Sequence, residues 1–161
     1  GSAHLATIAG KAVCLGEALT DEFKTYGANV KANASLLAEV LQKRGVRIVS
    51  GGTDTHLVLV DVSSKDLTGQ QSQDALSAIN ITSNKNPIPF DSTKPSEWKG
   101  LRLGSSAGTT RGFGAKEFEI IGNLIADIFE AQTADEPTRA AVIEKSRAVV
   151  AKLVAEFPIY A

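Results

Sequence analysis

The sequence predicts an α/β two-layer sandwich, in which helices cover a small, mostly antiparallel sheet. Two runs rich in β-branched residues, 46–49 and 56–62, flank a glycine-containing turn and indicate an antiparallel hairpin. Five other segments carry apolar residues at helical spacing. The chain has 161 residues, of which 43% are hydrophobic and 22% charged, so it is long enough to bury the core of one globular domain.

Two helices are expected at the start of the chain. Residues 5–19 are apolar around nearly the whole helical circumference, which predicts a helix buried on more than one side, either by the sheet of this chain or by a partner chain. Cys14 within it is interpreted as a small core hydrophobe. Thr20 or Asp21 can cap a second helix, which Gly45 ends. One face of this helix is apolar and consists of Val30, Ala34, Leu37 and Leu41.

A third helix and an ordered loop are expected in the middle of the chain. Ala75, Leu76 and Ile79 predict a helix over residues 69–79, and an extended run follows at 81–84. Residues 86–95 contain three of the five prolines. Because proline fixes φ and lacks a backbone N–H, this stretch is predicted to be an ordered loop rather than a regular element.

Two helices are expected to close the chain. The first covers residues 115–131, with Phe118, Ile121, Ile125 and Ile128 at helical spacing. The last helix continues to about residue 156. Its start has two alternative caps, a capping box from Thr133 to Glu136, or Asp135 with Pro137 inside the first turn.

Arg102 is the leading candidate for a functional residue. It lies between Leu101 and Leu103 in a short strand-like run, and the alternation of side chains directs it away from both leucines toward a polar opening. The fixed fork of a guanidinium can bind both oxygens of a carboxylate, which lysine cannot copy. The alternative is a solvent-facing arginine on an edge strand.

Composition limits the classes of partner. A net charge of −1 provides no field that would attract nucleic acid or an anionic membrane, so we expect neither as a partner. No apolar run approaches the roughly 20 residues of a membrane span. With one cysteine and two histidines, the sequence shows no metal-ligand spacing and no internal disulfide, which favours a reducing, cytoplasmic setting.

Four stretches resemble one enzyme family. The segment R-L-G-S-S-A-G-T-T-R-G-F at 102–113 resembles the R-x-G-T-P-A-x-T-x-R-G-F stretch of serine hydroxymethyltransferase. The same family has similar segments, in the same order, for I-A-G-K-A-V at 8–13, S-G-G-T-D-T-H-L-V-L-V-D at 50–61 and N-K-N-P-I-P-F-D at 84–91. The resemblance spans nearly all of residues 8–128, which is only the C-terminal part of a longer enzyme.

The resemblance implies a domain organisation and a cofactor. Residues 1–3 are interpreted as a cloning or cleavage remnant, and residues 4–161 as the C-terminal small domain of a fold-type I pyridoxal-phosphate enzyme. The large domain, whose lysine binds the cofactor in this family, is expected to be absent. No lysine of this chain is expected to replace that lysine, and the chain is predicted to be inactive alone. Six lysines lie in patterns typical of helix surfaces or polar loops, namely Lys31, Lys43, Lys65, Lys94, Lys99 and Lys145. The parent enzyme is expected to be a homodimer or a higher homo-oligomer.

The resemblance also assigns site residues. Arg102 matches the family arginine that binds the carboxylate of serine or glycine, and Asn86 matches an asparagine near the pterin of tetrahydrofolate. Lys94, Pro95 and Ser96 fall where the family has a folate-contacting loop, although the common Ser-Pro-Phe is not kept. No catalytic, cofactor-binding or metal-binding residue is expected in this chain.

Other interpretations remain open at this point. The chain could be the small domain of another pyridoxal-phosphate enzyme, such as an aminotransferase, or a non-catalytic α/β interaction module. Arg111 could bind a carboxylate group, but a structural role that orients its loop is favoured. His56 is interpreted as a partly buried structural histidine and Trp98 as a packing residue.

Overall fold

The computed structural model describes residues 2–159, which form six α-helices, two short 3-10 helices and one four-stranded sheet. The helices are α1 (Leu5–Glu17), α2 (Asp21–Lys43), α3 (Gly69–Ser77), α4 (Ser106–Thr110), α5 (Ala115–Ala131) and α6 (Glu136–Glu156). The strands are β1 (Arg47–Ile48), β2 (Leu57–Asp61), β3 (Asn84–Asn86) and β4 (Gly100–Gly104). The expectation for residues 1–3 falls partly on Gly1, which lies outside the described residues.

The sheet is antiparallel throughout, with the strand order β1-β2-β4-β3. Strands β1 and β2 pair with Ile48 opposite Val60, which confirms the predicted hairpin. Strand β4 lies in the interior of the sheet, between β2 and β3. Helices cover the sheet, so the predicted two-layer α/β fold class is confirmed.

One hydrophobic core lies between the sheet and the helices. The apolar face predicted for α2 is buried in full, and Phe118, Ile125 and Ile128 of α5 are also buried. The two helices approach closely at Gly122, where a Cβ atom would lie 2.7 Å from Val40 Cγ1. None of the helices between residues 2 and 159 is long and apolar enough to cross a bilayer.

Helix α1 is not covered by the sheet of this chain, which was one of the two covers expected. None of its residues is buried, and Ile8 and Val13 are 54% and 61% exposed. Cys14 is also exposed, so it is not a core residue of this chain. The apolar circumference was read correctly from the sequence, but no other element of the described chain covers it.

Two local expectations are corrected, and the choice between the two caps of the last helix is decided for Asp135. Strand β3 includes Asn86, so the proline-rich loop begins one residue later, at Pro87, which cannot donate a backbone hydrogen bond to the sheet. The last helix begins after Asp135, because the hydroxyl of Thr133 instead donates to the Glu130 carbonyl. His56 is exposed rather than partly buried, since it precedes β2 at the open end of the sheet.

Substituting Ile8 or Val13 by glutamate is expected to leave the stability of the chain within about 0.5 kcal/mol of wild type, because neither side chain is buried. The same substitutions should reduce self-association if the apolar surface of α1 mediates it. Circular dichroism melts and sedimentation velocity measure the two effects. Leu41→Glu is the control that should unfold the chain, since Leu41 is fully buried. Unfolding by Ile8→Glu would contradict the structure.

Candidate functional site

Arg102 projects from the solvent-facing side of β4. Leu101 and Leu103 on either side are 0% and 4% exposed, whereas Arg102 itself is exposed. The alternation predicted from the sequence is therefore confirmed. The edge-strand interpretation is wrong, because β4 is hydrogen-bonded to β2 on one side and to β3 on the other.

The Arg102 side chain lines an open depression of about 360 Å³. Its other lining residues come from the end of β4 and from the segments before β2 and β3, namely His56, Leu57, Thr82, Ser83, Asn84, Leu103 and Gly104. Among the described residues, no carboxylate lies within 4.0 Å of the Arg102 guanidinium. The guanidinium donors therefore face the depression, where they can bind the carboxylate of a small ligand.

Strand β3 brings Asn86 to the same face of the sheet as Arg102. Asn84 lies directly opposite Arg102 and Asn86 directly opposite Gly100, so Asn86 and Arg102 are diagonal neighbours. Asn86 is half-buried, and its amide nitrogen donates to the Pro87 carbonyl at 2.8 Å. This bond orients the amide, whose oxygen can still accept a hydrogen bond from a ligand.

The segment from Lys94 to Ser96 lies in the connection between β3 and β4 and is exposed. None of its three residues lines the depression around Arg102. The connection is braced by Asp91, whose carboxylate accepts from the Thr93 amide at 2.9 Å, from the Thr93 hydroxyl at 2.5 Å and from the Lys99 amide at 3.3 Å. The Thr93 hydroxyl is the main reason that the pKa of Asp91 lies below its ordinary value.

Sequence reasoning missed several residues of the depression. Asn84, Thr82 and Ser83 were read only as part of an extended run, and His56 was read as structural. The signal that could have identified Asn84 is its position two residues before Asn86, which places both side chains on one face of a strand. Ser83 is 7% exposed and its hydroxyl has no hydrogen-bond partner within the described residues. A search of residues 2–159 finds no group of His, Cys, Asp or Glu that could hold a metal ion.

An arginine that an interior antiparallel strand presents to an open depression can bind the carboxylate of a small molecule. Residues 1–125 match the family of serine hydroxymethyltransferase. The chain therefore belongs to the serine hydroxymethyltransferase family, as its four motifs predicted.

Some relatives of this chain are named 2-methylserine hydroxymethyltransferase and others serine hydroxymethyltransferase. A 2-methylserine hydroxymethyltransferase from Aminobacter sp is 59% identical over the whole chain, and one from Paracoccus sp is 56% identical over the same length. Serine hydroxymethyltransferase 2 from Burkholderia mallei is 51% identical over 99% of the chain. The chain spans 37% of the length of the first two relatives and 38% of the third.

Proposed function

We propose that the complete protein is a pyridoxal-phosphate-dependent hydroxymethyltransferase and that residues 4–161 form its C-terminal small domain. The reaction interconverts serine plus tetrahydrofolate with glycine plus 5,10-methylenetetrahydrofolate. The observation that carries this proposal is the exposed Arg102 on an interior strand, within a motif of the family to which the chain belongs. An aminotransferase small domain would carry a similar arginine, but the family match over residues 1–125 supports the hydroxymethyltransferase.

Arg102 would bind and orient the amino-acid substrate. A bidentate pair between its guanidinium and the substrate carboxylate fixes two oxygens at once, so the bonds at the α-carbon are held in one orientation. Asn86 on the same face of the sheet would offer its amide oxygen to the pterin of tetrahydrofolate. The exposed Lys94, Pro95 and Ser96 would contact a more distant part of the folate from the braced loop.

The described residues do not by themselves form a site for pyridoxal phosphate. The cofactor stabilises negative charge at the α-carbon of an amino acid and is bound through a lysine, but no lysine of the described chain lines the Arg102 depression. We therefore assign the cofactor to the remainder of the complete protein and derive no step through it here. On this proposal the chain of 161 residues is inactive alone.

Inactivity of the chain alone can be tested directly. Pyridoxal phosphate is added to the chain, and the absorbance spectrum is recorded before and after gel filtration. We expect no stoichiometric adduct to be retained, because no lysine of residues 2–159 lines the Arg102 depression. A retained, lysine-linked adduct whose spectrum changes with serine would contradict the assignment.

The complete protein is also proposed to be a homodimer or a higher homo-oligomer that acts in the cytoplasm. The support for assembly is the uncovered apolar surface of α1, with Leu5, Leu15 and Leu19 all more than 60% exposed at or next to this helix. The remainder of the protein or a second copy would cover it. The single cysteine is consistent with a reducing compartment.

A second candidate substrate is 2-methylserine. Relatives with that name are 54–59% identical to the chain, against 49–51% for those named serine hydroxymethyltransferase. Both substrates carry the α-carboxylate that Arg102 would bind, so this residue does not discriminate between them. Measuring kcat/KM of the complete protein for serine and for 2-methylserine, each with tetrahydrofolate, tests both candidates. Turnover of neither would overturn the proposed function.

The Asp91→Asn variant of the complete protein is expected to raise KM for tetrahydrofolate several-fold, because the loop that holds Lys94 to Ser96 loses its carboxylate brace. KM for the amino acid should stay unchanged. Asp54→Asn is the matched control, since Asp54 is exposed and does not line the depression. Equal effects on both KM values would show that Asp91 supports the whole domain rather than the loop.

The hydrogen bonds that the Asp91 carboxylate accepts also predict that the structure of this loop depends on pH. Folding lowers the pKa of Asp91. The stabilisation of the loop by its carboxylate is therefore fully present above the ordinary pKa of 3.8 and is lost as the pH falls through the lowered pKa. Trp98, the only tryptophan, lies at the end of this loop and reports on it by fluorescence. We expect an acid transition in the wild-type protein that is missing in Asp91→Asn. An unchanged transition in the variant would assign it to another carboxylate.

A further inference from the structure

A second depression lies mainly on the helix-covered side of the sheet and adjoins the Arg102 depression, with which it shares Thr82, Leu103 and Gly104. It has a volume of about 350 Å³, which lies within the range of small-molecule pockets, about 300 to 1,000 Å³. Its walls come from α2, α4, α5 and α6 and from the end of β4, and they are mainly apolar. Representative lining residues are Leu37, Phe113, Phe118, Ile121, Val150 and Leu153.

Arg111 is the only charged residue that lines this cavity within the described chain. Its Nε atom is buried and has no hydrogen-bond partner among residues 2–159, and no carboxylate in that range lies within 4.0 Å of its guanidinium. A buried N–H group without an acceptor costs free energy, so native structures nearly always provide one. The two terminal nitrogens of the guanidinium also have no hydrogen-bond partner among these residues, and unlike Nε they are not buried, so an acceptor in the cavity that Arg111 lines can reach them.

The backbone holds Arg111 at this place. Its amide donates to the Ala107 carbonyl at 3.2 Å at the end of α4, and Gly112 follows with φ of +97°, a conformation that favours glycine. The turn leads directly into Phe113, whose ring packs edge-on against Phe118 and Phe157 with centroid distances of 6.3 and 5.2 Å. The backbone therefore holds Arg111 beside an aromatic and aliphatic wall.

We infer that this cavity binds an organic monocarboxylate with an apolar body, whose carboxylate pairs with Arg111. The carboxylate would accept hydrogen bonds from the two terminal nitrogens of the guanidinium, and the body would displace water from the apolar wall. A ligand with a second charge is disfavoured, since that charge would be buried without a partner. This site goes beyond the proposed hydroxymethyltransferase, because Arg102 lines the other depression and Arg111 does not.

Octanoate and 1-octanol are the probes for this inference. Each is titrated by calorimetry into the complete protein and its Arg111→Gln, Arg102→Ala and Ile121→Trp variants. We expect one octanoate per chain for wild type and for Arg102→Ala, and binding weaker by about tenfold or more for Arg111→Gln, because a charge-assisted hydrogen bond is lost. Octanol should bind wild type and Arg111→Gln equally. Ile121→Trp, which fills the cavity, should remove both.

The alternatives give different results. Loss of octanoate binding in Arg102→Ala with retention in Arg111→Gln would place the carboxylate at the proposed substrate site and overturn the inference. No saturable binding to the wild-type protein would overturn it as well. A crystal structure of the wild-type protein with octanoate tests the inference without any substitution, so the test remains valid even if a variant fails to fold. A carboxylate within hydrogen-bond distance of the terminal nitrogens of Arg111 supports the inference, and any other position overturns it.

Discussion

Replacing Arg102 by alanine in the complete protein is expected to lower kcat/KM for the amino-acid substrate by about 30-fold to several thousandfold. The reason is that the substrate carboxylate would enter the depression without its charged partner. Removing one member of a desolvated, hydrogen-bonded charge pair costs about 2 to 5 kcal/mol, and each 1.4 kcal/mol corresponds to a factor of ten. Steady-state kinetics at varied serine concentration measures the effect.

The fold should be unaffected by this substitution, because the Arg102 side chain is exposed and forms no ion pair within the described residues. Arg102→Lys is expected to recover little activity, since a lysine ammonium cannot pair with both carboxylate oxygens at once. Arg139→Ala is the matched control, because Arg139 lies on α6 and its ion pair with Glu136 is local to that helix. Near-normal kinetics of Arg102→Ala would return Arg102 to the solvent-facing interpretation.

The Gly100→Ala substitution is expected to destabilise the chain by about 3 kcal/mol, the upper part of the usual range for overpacking. A Cβ atom at Gly100 would press against the backbone carbonyl oxygen of Asn86 and lie 2.8 Å from Ile88 Cγ2. A backbone carbonyl cannot rotate away as a flexible side chain can, so β3 would have to separate from β4. For a domain of this size, the loss corresponds to a fall in Tm of about 6 to 12 °C.

Thermal unfolding followed by circular dichroism measures this loss. Gly10→Ala is the matched control, because Gly10 lies in the exposed helix α1 and a Cβ there meets no atom within 4 Å. That substitution should raise stability slightly, by about 0.5 to 1 kcal/mol, since alanine is the better helix former. An equal response of the two variants would show that β3 and β4 do not approach as closely as described.

The sequence determined the faces of the elements. Helical spacing identified the buried face of α2, and all four of its predicted residues are buried. Alternation along β4 determined that Arg102 faces away from the core. These properties follow from the period of each element, 3.6 residues for a helix and 2 for a strand, which is local and therefore readable from neighbouring residues.

Only the tertiary structure determined which elements pack against or pair with one another. Strand β4 became an interior strand because β3, only three residues long, pairs with it across the proline-rich loop, and no local pattern encodes that pairing. The same pairing brings Asn86 beside Arg102. The cavity at Arg111 requires α2, α5 and α6 to converge, and these helices are distant along the chain. For helix α1, the apolar sequence pattern indicates that the helix surface is buried in the complete protein. The pattern does not indicate which part of the protein buries it.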